Sequence, residues 1–214
     1  DIDDVTVTYP GTDVVALAPT SLLLRRGLVT AVVGPSGVGK STLLAALQSF
    51  VAPTSGAIRV GGTDIATLSP EAWRSRVAVV SQDPVLLGPT VADDVRLRRP
   101  DATDAEVDAA LRSAGIDPAS LPDGARTRVG DLASDVSAGQ RRRVALARVM
   151  LEPAPLVLLD EPTAGLDDAT EADVVETVRR LADAGSAVLV VAHRPSLVAG
   201  ADDVVELVPV GVGA

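Results

Sequence analysis

A glycine-rich turn between an apolar run and an amphipathic stretch constrains this chain more than any other feature of its sequence. Residues 34–41 read Gly-Pro-Ser-Gly-Val-Gly-Lys-Ser and match the pattern G-x-x-x-x-G-K-[ST]. Glycines let consecutive backbone N–H groups point inward around an anion, and a helix N-terminus behind them adds partial positive charge. The only lysine of the chain, Lys40, adds a full charge. The predicted phosphate-binding residues are Gly34, Pro35, Ser36, Gly37, Val38, Gly39, Lys40, Ser41 and Thr42.

Four continuous apolar runs predict parallel strands that are buried on both faces. They lack the polar alternation expected of a strand with one solvated face. Another segment, Ile2–Thr8, alternates apolar and polar residues and predicts an edge or antiparallel strand. The four runs are Thr30–Val33, Val77–Val80, Leu156–Leu159 and Val188–Val191.

Helical patterns lie between these runs, and strands that alternate with helices predict an α/β fold of βαβ units. Residues 83–136 carry helical patterns without a clear strand, so we expect a helical insertion there. Aromatic residues make up only 1% of the chain, so aliphatic side chains must fill the core. The helical signals are the stripe Leu43, Leu44, Leu47 and Val51, the capping-box pair Thr103 and Glu106 with Gly115 as a stop, and the stripe Val174, Val175, Val178 and Leu181 before Gly185.

Two acidic residues follow the third apolar run directly. Asp160 and Glu161 close the run Leu156–Leu159, and parallel strands present ligands at their carboxyl ends. A carboxylate at the first position can hold Mg²⁺ through water, and one at the second can orient or deprotonate an attacking water. Together with the phosphate-binding turn, this pair predicts hydrolysis of a nucleoside triphosphate.

The charge balance and the cysteine count limit the classes of partner. The 214 residues carry a formal net charge of −10, which disfavours broad nucleic-acid binding. Cysteine is absent, so disulfides and thiolate metal sites are excluded. No apolar run reaches the roughly 20 residues that a membrane-spanning helix needs, so we expect no membrane insertion by these residues. The sequence opens at Asp1 directly into a strand-like segment, and we expect a domain of a longer polypeptide.

Taken together, these motifs resemble the ATPase domain of ABC transporters over nearly the whole chain. Tyr9, 25 residues before Gly34, lies where that family keeps an aromatic residue that stacks on adenine. Residues 136–140, Val-Ser-Ala-Gly-Gln, are similar to the family signature Leu-Ser-Gly-Gly-Gln, and residues 164–167, Ala-Gly-Leu-Asp, resemble its D-loop. Gln82 and His193 each follow a predicted strand, as do the family's glutamine and histidine near the γ-phosphate.

The resemblance implies a P-loop NTPase (RecA-like) core with a mostly parallel sheet, an N-terminal antiparallel β subdomain and an inserted α-helical subdomain. It also implies ATP with Mg²⁺, and a site completed by the signature of a second nucleotide-binding domain. Ala138 replaces a signature glycine, and alanine is acceptable at this position if the residue has a helical φ. The implied catalytic residues are Glu161, His193, Lys40 and Gln82; the metal ligands are Ser41, Gln82 and Asp160; the further nucleotide-binding residues are Tyr9, Ser137, Ala138, Gly139, Gln140 and Asp167.

The resemblance further implies a catalytic core over 1–82 and 141–214 and a helical subdomain over 83–140. Residues 127–131 resemble an exporter motif that contacts membrane domains, and the segment from Val136 to Arg148 is similar to the CydD half of CydDC-type exporters, which are linked to thiol or haem handling and cytochrome bd assembly. The implied partners are a second nucleotide-binding domain, as a homodimer or with a CydC-like half, and a transmembrane domain of the same chain at the cytoplasmic face of the bacterial inner membrane.

Three other functions remain open at this point: a soluble ABC-family ATPase acting on ribosomes or DNA, an importer-type ATPase subunit, and a regulatory nucleotide-binding module. Two smaller expectations concern single side chains. We expect the run Arg141–Arg143 to form a solvated helix face. We expect Trp73 to be a packing residue without a chemical role.

Overall fold

A computed structural model describes residues 1–11, 14–129, 136–164, 166 and 168–209, without the side chains of residues 168 and 169. The strands in these ranges are β1 Ile2–Thr8, β2 Val15–Leu22, β3 Val29–Val33, β4 Ser55–Val60, β5 Thr63–Asp64, β6 Val77–Val80, β7 Leu156–Asp160, β8 Ala187–Val191 and β9 Asp203–Glu206. The α-helices are α1 Lys40–Leu47, α2 Pro70–Arg74, α3 Val91–Val95, α4 Asp104–Ser113, α5 Ala138–Leu151, α6 Asp168–Asp183 and α7 Pro195–Ala199. Single 3₁₀ turns cover Ile65–Thr67, Arg96–Arg98, Pro118–Ser120 and Gly124–Arg126.

The larger sheet is parallel and has the strand order β6-β7-β8-β3-β9. Its first four members coincide with the predicted apolar runs to within one residue at each end. Strand β9 was not predicted, because it is an edge strand whose residues stay largely exposed and so carries no continuous apolar run. Successive residues of the central strands point to opposite faces, and helices or the second sheet cover both. The predicted α/β class is therefore confirmed.

The smaller sheet is antiparallel, with the order β2-β1-β4-β5. The prediction for Ile2–Thr8 is confirmed as an antiparallel strand, but this strand lies between two neighbours and not at an edge. Its inward side chains, among them Val5 and Val7, are fully buried. The antiparallel sheet packs over α1 on one face of the parallel sheet.

Two hydrophobic clusters lie on opposite faces of the parallel sheet. In β7, Val157 and Leu159 belong to the cluster under the helices between β6 and β7 and under α6. Leu156 and Leu158 belong to the other cluster, with α1 and the antiparallel sheet. The side chain of Trp73 is 4% exposed there, and its indole N–H donates to the carbonyl of Leu47 at 2.7 Å, so its predicted packing role is confirmed.

The helices between β6 and β7 lie where the insertion was expected. α4 begins with the predicted capping box of Thr103 and Glu106. α5 packs against α3 and α4 and also contacts β6, so the boundary proposed at residue 140 falls inside its first turn. Within the ranges described above, no helix combines the length and the apolar character needed to cross a membrane.

One predicted helix is shorter than its apolar stripe. α1 ends at Leu47, and Ser49 adopts a positive φ of 56°, which stops the helix before Val51. Val51 is only partly buried, but it still packs against the same cluster as Leu43 and Leu47. The apolar spacing therefore identified the buried face correctly and placed the end of the helix one turn too late.

Candidate active site

The predicted site residues follow four neighbouring strands at one edge of the parallel sheet. β6, β7, β8 and β3 are adjacent and point the same way, so their carboxyl ends meet. Gln82 follows β6, Glu161 follows β7, His193 follows β8 and Gly34 follows β3. The strand order therefore gathers these segments at the edge where α/β proteins bind ligands.

The glycine-rich turn has a positive φ at Gly34, Gly37 and Gly39, and at two of these positions a side chain would also collide with nearby backbone. Gly34 has a φ of 144°, and a Cβ atom there would lie 2.7 Å from the carbonyl oxygen of Leu207. Gly39, the N-cap of α1, has a φ of 109°, and its Cβ atom would lie 2.5 Å from the carbonyl oxygen of Ala16. Both distances are too short for any side chain, so the turn pattern has a steric as well as a conformational cause.

Lys40 folds back over this turn. Its ammonium group donates to the carbonyls of Gly34 at 2.7 Å and Pro35 at 2.9 Å, and the residue is 8% exposed. The lysine is thus held at the centre of the loop that α1 starts from. Its charge and the N-terminus of α1 together make this position attractive to a phosphate group.

Tyr9 and the residues after Lys40 lie beside the turn. The hydroxyl groups of Tyr9 and Thr42 are 3.4 Å apart, and Tyr9 is 40% exposed. Ser41 is exposed at the first turn of α1, whereas Thr42 is buried. An exposed aromatic ring next to a phosphate-binding turn is available for stacking on a base, so the predicted contact between Tyr9 and adenine stays a prediction with a suitable placement.

Asp160, the first residue of the acidic pair, is partly buried at the end of β7. Burial, followed by the nearby charge of Glu161, raises the pKa of Asp160, while Lys40 and His193 lower it. Asp160 ends β7 and Lys40 follows β3 at the same carboxyl edge of the sheet, so the charge of Lys40 acts on this carboxyl group. The site therefore brings together a buried cation and a pair of carboxylates.

Glu161 is held in a strained position against His193. Its φ is 47°, in the left-handed region that a residue with a Cβ atom rarely adopts, at a cost of about 1–3 kcal/mol. Its N–H donates to the carbonyl of Val191 at 3.2 Å, and its Oε1 lies 2.9 Å from Nε2 of His193. The bend turns the carboxylate of Glu161 away from the strand and towards the end of β8.

The predicted signature residues form the N-terminus of α5. Ser137 and Gln140 make a capping box: the hydroxyl of Ser137 accepts from the N–H of Gln140, and the side chain of Gln140 accepts from the N–H of Ser137. The capping box leaves the N–H groups of Ala138 and Gly139 pointing beyond the helix end. α5 begins at Ala138, so this alanine has the helical φ that its tolerance requires.

The prediction of a solvated arginine face is wrong. Arg142 is 6% exposed, and its guanidinium donates to the carbonyl of Gln82 and to that of Ala164. Arg141 donates to the carbonyl of Val136 at 3.0 Å, and Arg143 donates to that of Gly115 at 2.8 Å. Charge alone suggested solvent exposure, but the ends of neighbouring loops and helices offer carbonyl groups that accept from each of the three guanidinium groups.

Sequence reasoning also missed a contact made by Arg194, the residue after His193. Arg194 donates to the carbonyl of Leu166 at 3.0 Å and lies 2.8 Å from the carboxylate of Glu171, which is buried in α6. Arg142 and Arg194 therefore bond to carbonyls on either side of Gly165. No sequence pattern signals these contacts, because the acceptors are backbone atoms.

Some predicted residues lie partly or wholly outside the described ranges. These are Gly165 and Asp167 of the D-loop segment and Gly130 and Asp131 of the exporter-like segment. Thr127, at the start of that segment, is fully buried, and its hydroxyl accepts from the N–H of Asp123 at 3.0 Å. Gln82 is exposed, and its backbone carbonyl accepts from the guanidinium of Arg142.

Comparison with known proteins agrees with this geometry. Residues 17–164 match the family described as ABC transporter. Over 206 residues the chain is 42% identical to "Mycobactin import ATP-binding/permease protein IrtB" of Mycolicibacterium thermoresistibile, covering 95% of this chain and 35% of that protein. It is 40% identical to "ATP-dependent lipid A-core flippase" of Neisseria meningitidis over 204 residues, covering 94% of this chain and 33% of that protein.

A solved structure shares the fold as well as the sequence. The structure of a bacterial Atm1-family ABC exporter with ATP bound superposes with a TM-score of 0.87 at 37% identity, over 97% of this chain and 36% of that one. The chain thus spans about a third of the length of the relatives it matches. The matched residues include the glycine-rich turn, the acidic pair and the start of α5. The chain belongs to the ABC transporter family.

Proposed function

We propose that this chain is the motor domain of an ABC exporter, in which binding and hydrolysis of Mg-ATP drive movement of a membrane domain. One observation carries the proposal: the buried ammonium of Lys40 lies over the glycine-rich turn after β3, and the carboxylates of Asp160 and Glu161 lie at the end of β7, at the same carboxyl edge of the sheet. The bacterial Atm1-family exporter and the motif beginning at Thr127 support an exporter, whereas the relative IrtB is named for import.

In the proposed reaction each side chain has a distinct task. Lys40 and the N–H groups at the start of α1 bind the β- and γ-phosphates and stabilise their charge. Glu161, which His193 orients, accepts a proton from water as the water oxygen attacks the γ-phosphorus. The bond from that phosphorus to the bridging oxygen breaks, which gives ADP and inorganic phosphate. His193 also donates to the γ-phosphate when ATP is bound.

The residues beside the phosphate-binding turn suit Mg²⁺. Ser41, Asp160 through water, and Gln82 would hold the ion, which neutralises phosphate charge when bound. Within the described ranges, no three or more histidine, cysteine or acidic residues gather as a metal-binding group. Mg²⁺ usually keeps several waters and binds substrate phosphates, so the three protein ligands proposed here suit it. The unfavourable burial of ionised Asp160 gives a physical reason for a cation there.

Two substitutions test the reaction. Glu161→Gln keeps the size of the side chain but cannot accept the proton, so we expect ATP binding to persist while kcat falls by about 100-fold or more. Lys40→Ala removes the phosphate-binding charge, so we expect at least about tenfold weaker ATP binding. Isothermal titration with Mg-ATP and a phosphate-release assay measure the two effects. Parental turnover in Glu161→Gln would remove Glu161 from the mechanism, and unchanged affinity in Lys40→Ala would remove the phosphate-binding assignment.

We propose that the whole protein works at the cytoplasmic face of a bacterial inner membrane, with a second nucleotide-binding domain and a transmembrane domain. The N–H groups of Ala138 and Gly139 would face the γ-phosphate held by the partner domain. The finer proposal is a CydD-like half that pairs with a CydC-like half and handles a thiol or haem-related substrate. It is supported by the arginine run in α5, while the relatives named above carry other substrates in their names.

Spectra of cytochrome bd would test the finer proposal. Expression of the complete transporter in a bacterium that lacks CydDC should restore the absorption bands of cytochrome bd. An unchanged spectrum, with the transporter present in the membrane and hydrolysing ATP, would contradict the CydD-like proposal and leave the ATPase proposal intact.

A further inference from the structure

Arg142 lies in helix α5, and its guanidinium group bonds to two loops of the candidate site, one after β6 and one after β7. Its Nε and Nη2 atoms donate to the carbonyl of Gln82 at 3.1 and 2.6 Å, and its Nη1 donates to the carbonyl of Ala164. Gln82 follows β6, Ala164 follows β7, and Arg142 lies in the second turn of α5. One side chain therefore links the helix that carries the signature to two loops of its own catalytic edge.

The contact at Ala164 leads directly to the proposed catalytic base. The N–H of Ala164 donates to the carbonyl of Glu161 at 3.1 Å. The N–H of Ala164 thus bonds to Glu161, and the carbonyl oxygen of the same residue accepts from Arg142. Because Glu161 has a strained φ of 47°, the surrounding bonds must hold it in place.

The surroundings of Arg142 require an arginine. The guanidinium is planar and presents five N–H donors in a fixed fork, so it can reach two carbonyls in different directions at once. A lysine ammonium is a single point and cannot reproduce that spacing. Among the described residues, Arg142 approaches the carboxylate of Asp83 at 3.9 Å, and that side chain is 94% exposed, so backbone carbonyls provide the main contacts of this buried cation.

We propose that Arg142 is a positioning residue for ATP hydrolysis, which fixes the Gln82 loop and the Glu161–Ala164 turn relative to the signature helix of the same chain. The proposal rests on the proposed ATPase function and deepens it. It assigns Arg142 no contact with ATP. Loss of Arg142 should therefore impair the chemical step through misplacement of Glu161 and Gln82 while nucleotide binding through Lys40 persists.

Steady-state kinetics of Arg142→Met and Arg142→Lys test this role. Both variants should lower kcat by about 10- to 100-fold, because small displacements of catalytic groups are costly, while the Kd for Mg-ATP changes by less than about threefold. Lysine should fail to rescue, although it keeps the charge. A kcat within twofold of the parental value in Arg142→Met, or full rescue by lysine, would overturn the proposal.

Arg143→Met is the matched control, because Arg143 is the next residue of α5 and also donates to a carbonyl, that of Gly115. It should leave kcat unchanged even if the melting temperature falls as far as in Arg142→Met. An equal loss of kcat per degree of destabilisation in both variants would overturn the proposal, since both arginines would then act only through stability.

Hydrogen–deuterium exchange tests the same contacts by a measurement that does not depend on ATP turnover. In Arg142→Met, amides of peptides covering 82–86 and 161–166 should exchange at least about fivefold faster, and in Arg143→Met those near Gly115 should do so instead. Unchanged exchange at both loops would overturn the proposal. If the parental protein neither binds nor hydrolyses Mg-ATP, the proposed function fails, whereas the exchange data still decide whether Arg142 holds the two loops.

Discussion

Asp160 is less stable as a carboxylate in the folded chain than in water, because burial and the neighbouring Glu161 raise its pKa. A raised pKa means that the folded state holds this proton more tightly than the unfolded state. Ionised Asp160 therefore lowers stability at neutral pH, and this penalty disappears as the pH falls through the raised pKa. Its presence at the end of a buried strand indicates a requirement of function and not of folding.

Asp160→Asn should raise the melting temperature of the nucleotide-free protein at neutral pH in magnesium-free buffer. The gain should shrink as the pH is lowered through the pKa of Asp160, since the parental carboxyl then becomes neutral as well. Thermal melts at a series of pH values measure this, with Asp203→Asn in exposed β9 as a control that stays close to the parental protein. A gain that does not vary with pH would contradict the electrostatic explanation.

Single residues show where sequence reasoning reached its limit. The glycine-rich turn could be predicted because each residue type has a local physical cause, visible at Gly34 and Gly39. The burial of Arg142 could not, because its acceptors are main-chain carbonyls that only tertiary structure brings near α5. Likewise, the strained φ of Glu161 depends on bonds to β8 that no local pattern reveals.

Among the secondary-structure elements, the buried strands were predictable because burial on both faces requires continuous apolar residues. The strands β2, β4, β5 and β9 were not predicted individually, since strands that are very short or partly exposed have no such requirement. Helix starts were also predictable, because Thr103 and Ser137 cap their helices through side-chain bonds that belong to local sequence. The end of α1 was not, because it depends on one residue with positive φ.

The two capping boxes allow a matched comparison of stability with function. Ser137→Ala and Thr103→Ala should each cost about 1 kcal/mol of unfolding free energy, because each removes the side-chain acceptor at a helix N-terminus. Only Ser137→Ala should lower ATP turnover, since α4 has no part in the proposed site. Chemical denaturation and phosphate release measure the two effects. Equal turnover in both variants would argue against a functional role for the start of α5.

At the scale of the whole molecule, the proposed site is completed only by a second chain. Lys40 of one chain and Gly139 of its partner would act on the same ATP. A chain that lacks its own phosphate lysine can therefore still supply a working signature to another chain. This property separates a composite site from one that each chain contains alone.

Mixing two defective variants tests the composite site. Lys40→Ala should be inactive, and Gly139→Asp should also be inactive because it places a negative charge where the partner's γ-phosphate would lie. An equimolar mixture should recover about a quarter of the parental activity, since random pairing makes about half of the dimers mixed and each mixed dimer contains one intact site of two. Each variant alone at the same total concentration is the control. A mixture no more active than its components would contradict the shared site.

The position of Trp73 has a practical consequence for spectroscopy. It is the only tryptophan of the chain, and its indole is bonded to the last residue of the helix that starts at Lys40. Its fluorescence emission should therefore change when solvent enters beneath that helix. It should not change when only the helices between β6 and β7 unfold. A fluorescence unfolding curve that precedes or trails the circular dichroism curve would separate the two halves of the fold without any added label.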